Sequence, residues 1–281
     1  MRFHATRAGA LVLVTLALSA RAMSGQVADV QERDRGGHGI PSSQFGTFIE
    51  EGDFLVYPYY EHYRDKDAEY KPSEMGYVGD VDYFGRYRAH EGLIFLGYGV
   101  SSRLHLELEA AVITAKQERA SDDTSNFPAE GVEESGLGDV EAQARYRFRE
   151  EADEAPEIYG YFETVFPFQR NRKLIGTSSW EFQYGMGLAR SFGFGTMTLR
   201  ASVAWADGSP EIGEYAVEYI RGVSDWLRLY AAVEGSEDEV ELINEAQLFI
   251  TPRIRIKLNN AVGITRKAPG WAPEVGVMFV F

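Results

Sequence analysis

The eight residues Glu274-Val275-Gly276-Val277-Met278-Phe279-Val280-Phe281 decide how the rest of the chain is read. In an extended strand successive side chains point to opposite faces. Val275, Val277, Phe279 and Phe281 therefore share one face, and Glu274, Gly276 and Met278 share the other. At the edge of a soluble sheet such a strand is a template for aggregation. In a closed membrane barrel lipid covers its apolar face and the first strand covers its edge. A C-terminal sandwich strand is the competing assignment, and the sequence upstream decides between them.

The same alternation recurs. Leu104, Leu106, Leu108, Ala110 and Val112 alternate with His105, Glu107 and Glu109 in a third strand. Val140, Ala142, Ala144, Tyr146 and Phe148 alternate with Asp139, Glu141, Gln143, Arg145 and Arg147 in a fourth. Trp180, Phe182, Tyr184, Met186 and Leu188 form the apolar face of a sixth. A seventh sets Met197, Leu199, Ala201, Val203 and Trp205 against Thr198, Arg200 and Ser202, and a ninth carries Leu227, Leu229, Ala231 and Val233 on one side. An eleventh sets Ile254, Ile256, Leu258 and Val262 against Arg255, Lys257 and Asn259. With a first strand opening at 54–63, irregular at Pro58, the pattern predicts an all-β, antiparallel up-and-down transmembrane barrel of about twelve strands. A sandwich or lipocalin would need two apolar inner faces, whereas here the second face carries Glu and Arg throughout.

Loop lengths fit this plan. Links predicted at 64–82, 116–135, 168–178, 207–213 and 265–271 are long, and those at 101–102, 193–195, 222–225 and 251–253 are short. Long loops on one rim and short turns on the other are the outer-membrane arrangement, with 149–156 and 235–238 as exceptions. Trp180, Trp205 and Trp271 fall at the long-loop rim and Trp226 at the other, as interfacial anchors should.

Residues 1–22 read as a secretory signal peptide: Arg2 and Arg7, an apolar run from Gly9, and Ala20-Arg21-Ala22. Residues 23–52 are polar and broken by Gly36-Gly37 and Pro41, which predicts a flexible periplasmic tail, and the barrel occupies 53–281. Cysteine is absent, so an exported chain relies on no disulfide. No stretch past residue 22 is long and apolar enough for a spanning helix. The net charge is −15, from 43 acidic against 28 basic residues, which rules out a nucleic-acid surface. Sixteen Tyr and 17 Phe supply aromatic girdles.

Function should sit in the lumen. Inward positions place Glu107, Glu109, Asp139, Glu141 and Glu163 beside Arg145, Arg147, Arg200, Arg228, Arg255 and Lys257 as pore-lining candidates. Acids outnumber bases, which predicts a narrow, cation-preferring path, or a plugged barrel if the long side chains fill the cross-section. Hairpin registry sets Arg147 and Arg145 against His105 through Glu109, pairing some acids across strands. Glu107 is expected to face a wet lumen, and Leu106 and Leu229 to face lipid.

Signals of catalysis are weak. No G-x-S-x-G, H-E-x-x-H, phosphate loop or dinucleotide fingerprint occurs, so no cofactor or metal is assigned and no enzyme is expected. His105 reads as an inward filler. Arg170-Asn171-Arg172-Lys173 is a candidate for lipopolysaccharide phosphates in an outer loop. Asp122, Asp123, Glu130, Glu133 and Glu134 are a weaker candidate for divalent ions. Three functions therefore stay open: a channel for small solutes, a closed structural or surface-interaction barrel, and a barrel-borne hydrolase.

Some local patterns resemble a known group. Phe281, preceded by alternating aromatic and aliphatic residues including Phe279, is similar to the C-terminal insertion signal of Gram-negative outer-membrane barrels. That resemblance implies the barrel-assembly machinery and outer-membrane lipid as partners, and a monomer in the cell outer membrane. Gly97-Tyr98-Gly99-Val100-Ser101-Ser102-Arg103-Leu104-His105-Leu106-Glu107-Leu108-Glu109 resembles a hairpin of the transporter-like barrel family named for the meta-pathway of phenol degradation. Gly136-Leu137-Gly138-Asp139-Val140 with Ala144-Arg145-Tyr146 resembles a strand of the same family. The family implies uptake of aromatic compounds. Its usual Pro-Thr-Gly after the fifth strand is Pro167-Phe168-Gln169 here.

Overall fold

A computed structural model describes residues 49–152, 155–177, 179–206, 208–236 and 239–281. The signal-peptide assignment and most of the tail assignment lie outside these residues. Twelve antiparallel strands close into one barrel, each bonded to its sequence neighbours and β1 to β12. They are β1 (Phe54–Tyr70), β2 (Tyr83–Ser101), β3 (Leu104–Glu118), β4 (Val132–Arg149), β5 (Glu157–Phe166) and β6 (Glu181–Phe192). Then follow β7 (Gly195–Ala206), β8 (Ser209–Ser224), β9 (Leu227–Ser236), β10 (Glu239–Thr251), β11 (Ile254–Gly263) and β12 (Ala272–Val280).

Closure is made by the C-terminal stretch 274–281. Val56 lies opposite Phe279, Tyr59 opposite Gly276 and Glu61 opposite Glu274. The ends are locked by the Phe281 amide on the Phe54 carbonyl at 2.9 Å and the reverse bond at 3.2 Å. Val275 and Phe281 are exposed on the outer wall, whereas Glu274 and Met278 are buried inside. Leu106, Leu108, Val112, Leu199, Val203, Leu229 and Leu258 likewise face outward. All four Trp are exposed, Trp226 in the β8–β9 turn and the others beside the opposite rim.

Several strands run farther than expected. β1 continues to Tyr70, because a bulge between Asp65 and Ala68 keeps it paired with β2. Its link to β2 therefore shrinks to 71–82 and holds one 3₁₀ turn, Pro72–Met75. β3 and β4 extend to Glu118 and from Val132, which shortens the second long loop. β8 starts at Ser209, which pairs with Ala206, so most of the long loop expected at 207–213 is strand, and Gly208 has a φ of +83°, which favours glycine. The stretch Gly136 to Val140 lies inside β4. There Ala110 pairs with Val140 but Val112 pairs with Leu137, leaving Gly138 and Asp139 opposite Ala111. Such a bulge bends the strand and re-aims a side chain.

Candidate functional site

The inner face divides into a packed belt toward the short turns and an open chamber toward the long loops. The belt begins where the chain enters. Ile49 is buried against Leu55, Tyr57, Phe95 and Met278, and its amide donates to His105 Nδ1 at 3.2 Å. Above it lie ion pairs. Glu107 stands 3.0 Å from His105 Nε2 and 3.6 Å from Arg145 Nη2, and Arg147 meets Glu157 at 3.0 Å. Arg145 also donates to Gln143 at 2.9 Å and lies 5.6 Å from the centre of the Tyr159 ring. Arg200 gathers Glu234, Glu214 and Glu218 at 2.6, 2.7 and 3.1 Å. Lys257 pairs with Glu245 at 2.8 Å and caps the Tyr57 ring, whose hydroxyl donates to Glu274. Arg228 donates to Gln247 at 2.6 Å, and Arg228 and Arg255 flank Phe249.

Glycines let this belt close. Tyr159 lies over Gly187, Tyr161 over Gly185 and Tyr57 over Gly276, so a Cβ at any of the three would overlap a ring. Arg145, Arg255, Lys257, Gln247, Tyr57 and Tyr159 are 0% exposed. A side chain beside an open water path would retain accessible area, so the belt is tightly packed around these six side chains. That narrows the expectation for Glu107: it is held in an ion-pair network, and the space it borders with Glu109, Glu141 and Glu163 is only about 30 Å³. Arg145 does lie opposite His105, but Glu109 lies opposite Glu141, not opposite an arginine.

The chamber above has a volume of about 390 Å³. Glu61, Glu91, Glu109, Asp139 and Glu141 line it, and Lys173 is the cation among its lining residues. Glu61 and Glu91 are directly opposite each other on β1 and β2. Sequence reading missed both. In β1 the inward Leu55, Tyr57, Tyr59 and Tyr63 are as apolar as the outward Phe54, Val56 and Tyr60, so parity gave no signal there. It could have come from closure, since the register of β1 with β12 sets Glu61 beside the inward Glu274. Glu163 sits at the floor, where Gln143 donates to it at 2.6 Å.

The lid is the link between β5 and β6. Asp139, aimed by the β4 bulge, accepts from the Gln169 amide at 3.3 Å and from the Thr177 amide. Glu134 accepts from the amides of Lys173 and Leu174 at 2.9 and 2.8 Å. Four backbone donors on two carboxylates turn residues 167–177 inward, and Ile175 is buried against Ala89 and Ala115. The candidate phosphate-binding run at 170–173 therefore belongs to a loop folded over the lumen. Beyond it a vestibule of about 470 Å³ shares Tyr63, Lys173 and Leu174 with the chamber.

All eleven lumen candidates face inward. Glu109, Asp139, Glu141 and Glu163 belong to the chamber and its floor, and Glu107, Arg145, Arg147, Arg200, Arg228, Arg255 and Lys257 to the belt. Phe279 and Phe281 lie on the outer wall. Among the described residues no group of three or more His, Cys, Asp or Glu could hold a metal ion. Asp123 instead accepts from Tyr70 at 2.6 Å and from the Ser125 amide at 2.7 Å. His62 and His90 are on the outer face, stacked at 4.5 Å, with His90 bonded to Tyr60.

No family model and no curated protein sequence matches the chain. Solved structures share its fold. An outer membrane channel from Pseudomonas putida F1 matches at a TM-score of 0.61 and 15% identity, over 87% of this chain and 100% of that one. The translocator domain of the autotransporter NalP from Neisseria meningitidis matches at 0.53 and 10%, over 83% and 90%. At these identities the shared property is the closed barrel.

Proposed function

We propose that the chain is an outer-membrane channel for small cationic solutes, with the acidic chamber as its capture site and the packed belt as its closed state. The observation that carries this is the separation of charge by height. Acids of the belt stand beside Arg or Lys, whereas five carboxylates of the chamber face one lysine. Unbalanced like charge in a low-dielectric cavity focuses a negative potential and concentrates cations. Tyr59 and Tyr63 line the same space and offer ring faces to an organic cation. Likeness to a barrel described as an outer membrane channel supports the reading, as does a wall that is apolar outside and charged inside. On this view residues 1–22 direct export, Phe279 and Phe281 present the insertion signal, and the barrel works as a monomer in lipid. The test is the reversal potential of the refolded chain in a planar bilayer under a salt gradient. Cation preference that weakens in Glu91→Gln with Glu109→Gln is expected, and anion preference would sink the proposal.

One observation favours a closed structural barrel instead: Arg145, Arg255 and Lys257 are fully buried, so the belt is tightly packed where they lie. Zero conductance in the wild type and in Arg145→Ala would establish that reading.

A further inference from the structure

Cations stand on the outer wall where lipid-facing positions should end. On β3 the outward positions run apolar from Leu104 to Val112, then change to Thr114, Lys116 and Glu118. Lys116 lies directly opposite Arg88 on β2, and Arg88 directly opposite Arg64 on β1. Arg64 is bridged in turn to Trp271, an exposed tryptophan whose edge meets the His62 ring. One row around the barrel thus reads Trp271, Arg64, Arg88, Lys116, on adjoining strands spaced about 4.8 Å apart, and it ends at the acid Glu133, which lies opposite Lys116 on β4. Like charges directly opposite destabilise a sheet, and three in succession call for an anion. Glu118 supplies part of it, at 2.9 Å from Arg88 and 2.5 Å from Arg86, which adds a fourth cation above the row. Arg64 and Lys116 form no ion pair among the described residues. On a chain of net charge −15 this is a concentration of positive charge in an unusual place.

Its height is informative. Tryptophan sits at the boundary between hydrocarbon and headgroups, so cations level with Trp271 point into the headgroup layer. Two arginines and a lysine within about 10 Å suit phosphate oxygens, which Arg takes as a fork and Lys as a point charge.

We infer that Arg64, Arg88 and Lys116, supported by Arg86, form a binding site for the phosphates of lipopolysaccharide on the outer wall of β1–β3. The inference uses the membrane-embedded reading but is independent of conduction. It is distinct from the run at 170–173, of which Lys173 lines the chamber while Arg170 and Arg172 are exposed.

The test is native mass spectrometry of the full chain refolded in detergent, its barrel first verified by heat-modifiable migration. It is titrated with bisphosphorylated lipid A, dephosphorylated lipid A and phosphatidylglycerol. Retention of the bisphosphorylated form, with at least about tenfold loss in Arg64→Gln/Arg88→Gln/Lys116→Gln, is expected. Should the triple variant fail to refold, Lys116→Gln and Arg64→Gln singly should each lower retention several-fold. Arg170→Gln with Arg172→Gln should leave it unchanged. Undiminished retention in the row variants, loss in the loop variant, or equal retention of dephosphorylated lipid A or phosphatidylglycerol would overturn the assignment.

Discussion

Arg145→Ala is the substitution that best separates a gate from a floor. On β3 only Glu107 and His105 lie between the chamber residue Glu109 and the turn below, and Arg145 is the cation beside both. Removing it deletes six non-hydrogen atoms from a site with no exposed surface. In a dry floor Glu107 would keep His105 as a partner but lose Arg145, and such breakage costs about 3–5 kcal/mol. In a gate the vacated space is polar. Glu107, His105 and Gln143 border it, enough to hold waters of about 30 Å³ each. Bridging water is nearly as good as a direct bond, so the cost should fall to about 1–2 kcal/mol. The same water would link the chamber to the opposite rim. We therefore expect urea unfolding in micelles to show the smaller loss, and planar-bilayer recordings to show larger, strongly cation-selective steps than wild type. A loss of 3–5 kcal/mol with silent bilayers would refute the gating argument and leave the belt as a structural floor.

Three more perturbations probe the wall, the belt and the loops. Leu108→Arg, at the middle of five outward apolar positions on β3, should cost about 2–4 kcal/mol by urea unfolding in lipid vesicles. Glu141→Gln, on the chamber face, should stay within about 0.5 kcal/mol, and equal losses at both would mean the faces are reversed. Gly187→Ala would drive a methyl into the Tyr159 ring and should cost about 1–3 kcal/mol by overpacking, whereas no change in the unfolding midpoint would show that Tyr159 moves freely. In the β3–β4 loop, burial opposes the charge of Asp123. Hydrogen bonds from Ser125 and Tyr70, with Arg119 3.6 Å away, outweigh it and hold the carboxyl below the usual carboxylate range. A depressed folded-state pKa adds stability above the unfolded value and loses it as pH falls through the folded one. Protease cleavage at this loop should therefore stay flat down to about pH 4 and rise below it, and Asp123→Asn should remove that rise.

Facing was legible because parity is local. Wherever apolar and charged residues alternate, as in Leu104 to Val112 or Val140 to Phe148, the sequence tells which side is lipid. It failed in β1, where tyrosines occupy both faces and hide Glu61. It also failed for Glu107, since parity assigns a side chain to the lumen without saying whether water reaches it. Strand ends were misplaced where polar residues continue a ladder: Lys66, Asp67 and Glu69 look like loop but lie in β1. The inward lid was invisible because its anchors, Asp139 and Glu134, act on backbone amides that no side-chain pattern advertises.

Height within the lumen is the property hardest to read, and it carries the functional argument. Counting inward charges along the chain gives an excess of acid but treats the lumen as uniform. Pairing depends on register and on contacts across the barrel. Arg200 on β7 reaches Glu234 on β9, skipping a strand, because the inward curvature brings non-adjacent staves together. Glu109 meets Glu141 instead of Arg145 because the β3–β4 register places the arginine two levels lower. Those shifts gather most of the bases in the belt and leave five chamber acids with a single lysine among them. Closure below and unbalanced charge above thus arise from one sorting of the same residues. A solute drawn to the chamber would meet the belt ion pairs next, and an arriving cation competes for Glu107 and Glu274, the very acids that Arg145 and Lys257 hold.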